Sequence, residues 1–152
     1  MFDVANLGQV FTPNNIVDLM IGLKQNNGRV LEPSCGDGAF SSQLSDCVSI
    51  EIDSRHANSK TLVMDFFDYN LEEKFNSVIG NPPYVRYQDI PQATKLKLAS
   101  QLFDSRSNLY LFFIEKCIDH LKDNGEMIFI VPRDFLKSTS SRNLNKYMYS
   151  RG

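Results

Sequence analysis

Cysteine, histidine and strong net charge are all scarce in this 152-residue chain, and each scarcity argues against a class of protein. Cys35, Cys47 and Cys117 are odd in number, widely spaced and in no CxxC arrangement. That argues against a disulfide framework or a zinc site and fits a reducing cytoplasm. His56 and His120 stand apart, give no metal cluster, and both read as surface residues. No apolar run approaches the roughly 20 residues of a membrane-spanning helix, and Met1-Phe2-Asp3 does not open a signal peptide. Internal repeats, linkers and low-complexity tracts are absent too, which leaves one soluble domain with a core of its own.

The net charge of −2 hides an asymmetry. Residues 1–85 carry 5 Lys+Arg against 11 Asp+Glu, whereas residues 86–152 carry 11 against 7. A strongly basic duplex-binding domain does not look like this. A nucleic-acid partner would face the later half, or have its phosphates held from outside this chain.

What is present is an alternation of short buried strands with helical stretches. Thr12 before Pro13 reads as an N-cap followed by proline at the first helical position, opening a helix to about residue 25 that Asn26-Asn27-Gly28 ends. A strand at 29–32 leads into the loop Pro33-Ser34-Cys35-Gly36-Asp37-Gly38, and 39–44 opens a helix. Strands follow at 47–50, 61–64 and 75–80. The stretch 85–107 is irregular with a helix over 92–101. A longer helix spans 108–121, a turn 122–125, a fifth strand 126–131 stopped by Pro132, and a last helix 134–149. Strand, glycine loop and helix in that order begin an α/β unit, whose ligands sit over the carboxyl ends of the strands.

The recurring event is a buried strand that ends in a polar residue: Glu32, Glu51, Asp65, Asn81. Any single one is what a strand end ordinarily looks like. Four in succession, three of them acidic, line one edge of a parallel sheet. Such a row repels phosphate and suits a ligand with hydroxyls, an amine and a positive centre. Glu51 stands where a dinucleotide-binding unit puts its ribose-reading acid. The loop at 33–38 departs from GxGxxG and offers no Lys or Arg to a pyrophosphate. S-adenosylmethionine therefore fits better than NAD or ATP. Asp65 is placed to accept from its adenine amino group, with Phe66 beside it to pack on the purine.

At Val78-Ile79-Gly80-Asn81-Pro82-Pro83-Tyr84 two consecutive prolines fix φ, remove two donors and push Asn81 and Pro82 away from the α region. A side-chain carbonyl, a backbone carbonyl and an aromatic face then converge at a strand end. That group suits a planar ring with an exocyclic amine: two oxygens accept its hydrogens and Tyr84 stacks on its face. A strand-end turn with a packing tyrosine is the plain alternative.

These motifs, in this order, resemble the catalytic domain of S-adenosylmethionine-dependent DNA adenine-N6 methyltransferases of restriction–modification systems. Phe11-Thr12-Pro13 is similar to the amino-terminal motif that closes over the methionine end of the cofactor. Glu32-Pro33-Ser34-Cys35-Gly36 is similar to the cofactor loop, Glu51-Ile52 with Asp53 to the ribose motif, and Asp65-Phe66 to the adenine motif. Asn81-Pro82-Pro83-Tyr84 is similar to the catalytic motif, and Asn108-Leu109-Tyr110 with Phe113 to a segment that packs against the cofactor. The resemblance implies a Rossmann-like, mostly parallel sheet in the order 3-2-1-4-5 with helices on both faces. It implies direct methyl transfer to an adenine flipped out of double-stranded DNA. In that family the sheet continues beyond strand five and a recognition domain follows, so 1–152 is expected to be the cofactor-binding catalytic part of a fragment or split enzyme, inactive alone. Two other readings stay open: a protein-glutamine or ribosomal-RNA methyltransferase, and a non-catalytic cofactor-binding half.

Overall fold

The computed structural model describes residues 9–151; residues 1–8, with the reading of Met1-Phe2-Asp3, and residue 152 lie outside the described residues. Five strands form one sheet: β1 (Val30–Glu32), β2 (Cys47–Glu51), β3 (Thr61–Val63), β4 (Phe75–Gly80) and β5 (Leu121–Phe129). The order is β3-β2-β1-β4-β5 with every pairing parallel, as expected from the sequence. The order reverses between β1 and β4, and that reversal is where an open α/β sheet leaves a crevice for a ligand.

The pleat sorts the strand residues onto two faces. Val30 and Ile79, with Ile128 and Ile130, meet Val17 and Met20 of α1 (Asn14–Gly22) on one side. Leu31, Ile50 and Val78 turn to the other side and meet Leu109, Phe113 and Cys117 of α3 (Leu109–Asp119). Near-continuous apolar strands are what a sheet covered on both faces requires. α4 (Thr139–Arg151) packs on α3 through Leu144, against Leu111 and Ile114.

Several elements differ from the sequence reading. Pro13, not Thr12, occupies the N-cap of α1; its carbonyl takes the Ile16 and Val17 amides at 2.9 and 3.0 Å and no side chain caps the helix. The helix expected at 39–44 is a single 3-10 turn, Ser41–Gln43, because Leu44 is already extended and β2 begins three residues on. The helix expected at 92–101 is one turn, α2 (Gln92–Lys95). Leu96 is 79% exposed, so little apolar surface rewards its continuation. The turn at 122–125 is absorbed into β5 as an irregularity between the Phe75–Leu121 and Ser77–Glu126 pairs, with Asn124 at φ 59°. The last helix starts at Thr139, where Ser138 Oγ accepts the Ser141 amide at 3.2 Å.

Neither histidine is a surface residue. His120 is fully buried at the end of α3, with its ring among Phe66, Tyr69 and Phe75, and Nδ1 lies 2.8 Å from the Glu73 carbonyl. The aromatic neighbours outweigh the cost of burying a neutral imidazole that keeps one hydrogen bond. His56 is half-buried against Phe11, ring centroids 5.4 Å apart.

Candidate active site

A cleft with an empty volume of about 920 Å³, open solvent at its mouth included, runs over the carboxyl ends of the strands. Glu32, Glu51, Asp65 and Asn81 all border it, so the row of strand-end polar residues shares one cavity. Phe11, Thr12, Pro33, Ser34, Cys35, Gly36, Ile52, Phe66, Pro83 and Phe113 line it as well. Of the motif residues named from the sequence, Pro13, Asp53, Pro82, Tyr84, Asn108 and Tyr110 do not: Pro13 caps α1, Pro82 is buried, Asn108 caps α3, and Tyr84 packs against the cluster of Tyr110, Phe135 and Leu144.

The loop after β1 wraps around two buried carboxyls. Glu32 is 1% exposed and accepts the Ser41 amide at 3.0 Å. Burial pushes its carboxyl up to about 8, the nearby acids Asp37 and Glu51 push the same way, and the Ser41 hydrogen bonds only partly oppose this. Burial likewise lifts the Cys35 thiol to about 12, so this cleft-lining cysteine is inert. Glu51 takes the Gly36 amide on Oε2 at 2.8 Å, and the Asp53 amide and the Gln9 side chain on Oε1 at 2.9 and 3.0 Å. Gly36 has φ 52°, and a Cβ there would stand 3.6 Å from the Phe11 ring, so the loop and the amino-terminal segment close together. Asp53 does not line the cleft: Arg55 binds both its oxygens and holds its pKa at about 2.

At the far end Asp65 caps the 3-10 turn Phe66–Asp68 through the Phe67 amide at 3.0 Å. Its other oxygen accepts Thr94 Oγ1 at 2.9 Å and Lys97 Nζ at 3.1 Å. Phe66 is 2% exposed, with its ring centroid 5.0 Å from Phe113, and serves as cleft floor. Lys116, one turn along α3 from Phe113, donates to the Phe67 and Tyr69 carbonyls at 2.8 and 2.9 Å and lies over the Phe66 ring. Burial lowers its pKa; the two carbonyls and the ring satisfy the charge that remains.

Asn81 follows the last residue of β4. Its Nδ2 donates to the Val10 carbonyl at 3.1 Å, while Oδ1 is buried with no partner among the described residues. Ser34 Oγ donates to the Asn81 carbonyl at 3.3 Å, tying the loop of β1 to the corner after β4. The Tyr84 hydroxyl donates to the Ile130 carbonyl, and its ring lies 5.5 Å from that of Tyr110. Burial pushes its pKa to about 12.

Sequence reasoning missed Gln9, Thr94, Lys97 and Lys116. Lys116 had a signal, since it stands three residues after Phe113 on one helical face. Gln9 comes from irregular chain and Thr94 and Lys97 from the single turn of α2 and the residues just after it, where no periodicity points to a partner.

The sheet order and the cleft at its reversal are those of the Rossmann-like S-adenosylmethionine-dependent methyltransferases. A Listeria monocytogenes protein assigned to class I of these enzymes superposes with a TM-score of 0.70 at 18% identity, covering 99% of this chain and 54% of that one. A Vibrio vulnificus protein assigned as the modification subunit of a type I restriction enzyme gives 0.69 at 14% identity, covering 93% of this chain and 38% of that one. The particular family is fixed by sequence: residues 24–151 match the Eco57I restriction-modification methylase family, and the chain belongs to it. Type II methyltransferase M.HincII of Haemophilus influenzae is 34% identical over 97% of this chain and 32% of its own length. M.CvrRI of a Paramecium bursaria Chlorella virus is 33% identical over 86% of this chain and 38% of its own length. The chain thus spans about a third of the length of these curated relatives.

The residues present fit the cofactor of that fold. A buried neutral carboxyl at Glu32 can become a counter-ion for an amine or sulfonium, and Glu51 retains an acceptor site on Oε2 for a hydroxyl. Asp65 retains one on Oδ1 for an amino group.

Proposed function

We propose that this chain is the cofactor-binding and catalytic part of a cytoplasmic DNA methyltransferase that modifies the N6 amine of adenine. The observation that carries the reading is the Asn81 amide. Asn81 borders the cleft with its Nδ2 held by the Val10 carbonyl, and its buried Oδ1 is an acceptor with no donor among the described residues. A buried acceptor left open costs about 1–3 kcal/mol, an arrangement expected where a ligand supplies the donor.

S-adenosylmethionine supplies a methyl group activated by its sulfonium. Glu32 balances the positive charge of the donor's methionine end, Glu51 accepts its ribose, and Asp65 accepts its adenine amine with Ile52 and Phe66 against the ring. Phe11, Thr12 and the loop from Pro33 to Gly36 enclose it, and Phe113 backs it. Asn81 Oδ1 and the Pro82 carbonyl hold the hydrogens of the target amine and turn its lone pair toward the methyl group. Pro83 stiffens the corner and Tyr84 stacks on the flipped base. Positioning supplies most of the rate, and no strong base is required. Recognition of a particular DNA site falls to sequence outside this third of the enzyme.

The test is transfer from tritium-labelled S-adenosylmethionine, by the full-length protein, to DNA, RNA and protein substrates. Label is expected in DNA as N6-methyladenine. Asn81→Ala is expected to abolish transfer while cofactor affinity stays within about threefold. Label confined to RNA or protein overturns the reading.

A further inference from the structure

The segment before α1 touches both working ends of the cleft with adjacent residues. Gln9 Nε2 donates to Glu51 Oε1 at 3.0 Å, and the carbonyl of Val10 accepts Asn81 Nδ2 at 3.1 Å. The acid at the end of β2 and the amide after β4 are therefore held by one dipeptide. Phe11 anchors the next position, packed edge-on against His56 and over Gly36.

Glu51 Oε1 has no room for a further donor. It takes both the Gln9 side chain and the Asp53 amide, whereas Oε2 takes the Gly36 amide alone. Each carboxylate oxygen accepts about two in-plane hydrogen bonds. A vicinal diol spread across both oxygens can form its second bond only if Gln9 leaves. Gln9 is also poorly housed where it is: its own Oε1 is buried without a partner among the described residues. The bond to Glu51 is offset by that unsatisfied carbonyl, so the contact is cheap to exchange.

We propose that Gln9 is an internal stand-in for the ribose diol, held on Glu51 until the cofactor displaces it, and that the displacement passes through Val10 to the Asn81 amide. The proposal rests on Glu51 being the ribose acceptor. Gln9 and Val10 are consecutive, so on this proposal a shift of the chain at Gln9 that accompanies its release from Glu51 is passed to the Val10 carbonyl that orients Asn81. The target-holding oxygen is then set in its final position only when the methyl donor is in place. By linkage, whatever fixes Asn81 Oδ1 also tightens the hold on the cofactor.

The experiment is a titration of this 152-residue chain, labelled with ¹⁵N, with S-adenosylmethionine and with its 2′,3′-dideoxy analogue. The side-chain amide signals of Gln9 and Asn81 are followed by NMR and affinities are measured by calorimetry. S-adenosylmethionine is expected to move both signals, and the analogue to leave the Gln9 signal in place. Gln9→Ala, and Gln9→Met as a variant of matched length, are expected to bind S-adenosylmethionine roughly three- to tenfold tighter, with no difference for the analogue. In both variants the Asn81 signal no longer follows the cofactor. Weaker binding in both variants, or an Asn81 shift that persists in them, overturns the proposal. Wild-type protein that binds the cofactor through Glu32 and Asp65 but is insensitive to Glu51→Gln overturns the ribose reading beneath it.

Discussion

The Ser41 amide meets Glu32 Oε2 at 3.0 Å, joining the 3-10 turn after the glycine loop to a carboxyl that is 1% exposed. With its pKa at about 8, Glu32 is neutral at pH 7 while the cleft holds no cation. A cationic ligand restores its charge and expels the proton. Binding of S-adenosylmethionine at pH 7 is therefore expected to release close to one proton. Affinity should rise about tenfold per pH unit from pH 6 toward 8 and then level off. Calorimetry in two buffers of different ionisation enthalpy checks this, and Glu32→Gln should abolish the buffer dependence.

The same carboxyl governs a stability effect of opposite sense to the usual acid. Its folded pKa lies above the unfolded value of 4.5, so the folded state binds the extra proton between pH 4.5 and about 8. That contribution is fully present below pH 4.5 and is lost as pH rises through 8. Glu32→Gln, which cannot ionise, should raise the melting temperature of the cofactor-free protein by a margin that widens from pH 5 to pH 8. Thermal scans across that range decide it.

His120 works the other way. Burial lowers its pKa first, and Lys116 and Lys74 add to this, against the Glu73 hydrogen bond and Asp119. Below pH 6.5 the unfolded chain takes up a proton that the folded state refuses, so stability falls with acid. His120→Asn keeps a donor in the Nδ1 position and should cost about 1–3 kcal/mol at pH 7.5. It should also flatten the loss of stability between pH 6.5 and 5.5, measured by denaturant unfolding at each pH.

The strands could be read from the sequence because the inner ones are short apolar runs whose alternate residues face opposite sides of the sheet, as Val30 and Leu31 do. The strand-end acids could be read for the same reason: once the sheet is parallel, its carboxyl ends must converge. The short helices could not. Thr94 and Lys97 are fixed by Asp65 and Asp68, contacts across about 30 residues that leave no periodic trace. His120 looked exposed because the rings that enclose it, Phe66, Tyr69 and Phe75, come from β4 and the chain just ahead of it. Tyr84 was legible as an aromatic after the diproline, but its hydroxyl's partner, Ile130, lies 46 residues away.

Lys97 fastens the chain after the diproline corner to the β3 end, with Nζ 3.1 Å from Asp65 and 2.5 Å from Asp68. Its side chain is 29% exposed, and ion pairs of this kind contribute about 0–1 kcal/mol. Lys97→Met should leave the global melting temperature nearly unchanged. Local opening is a different matter, since α2 is a single turn, tied to the β3 end by Thr94 and Lys97. Hydrogen exchange over residues 92–98 is expected to accelerate several-fold, while β1 and β4 stay protected.

Tyr84 carries two jobs that substitution can separate. The hydroxyl holds the Ile130 carbonyl just past β5, and the ring packs beside Tyr110 at the edge of the second core. Tyr84→Phe removes one hydrogen bond and should cost about 0.5–1.5 kcal/mol of stability. On the proposed stacking role it should leave methyl transfer to DNA within about threefold. Tyr84→Leu fills much of the same space without an aromatic face. Base–aromatic stacking is worth about 1–3 kcal/mol, so transfer should fall by about tenfold or more. Neither variant should change cofactor affinity, because Tyr84 does not line the cleft. Equal losses of transfer in the two variants, with equal stabilities, would assign the effect to the lost hydroxyl and remove the ring from the target site.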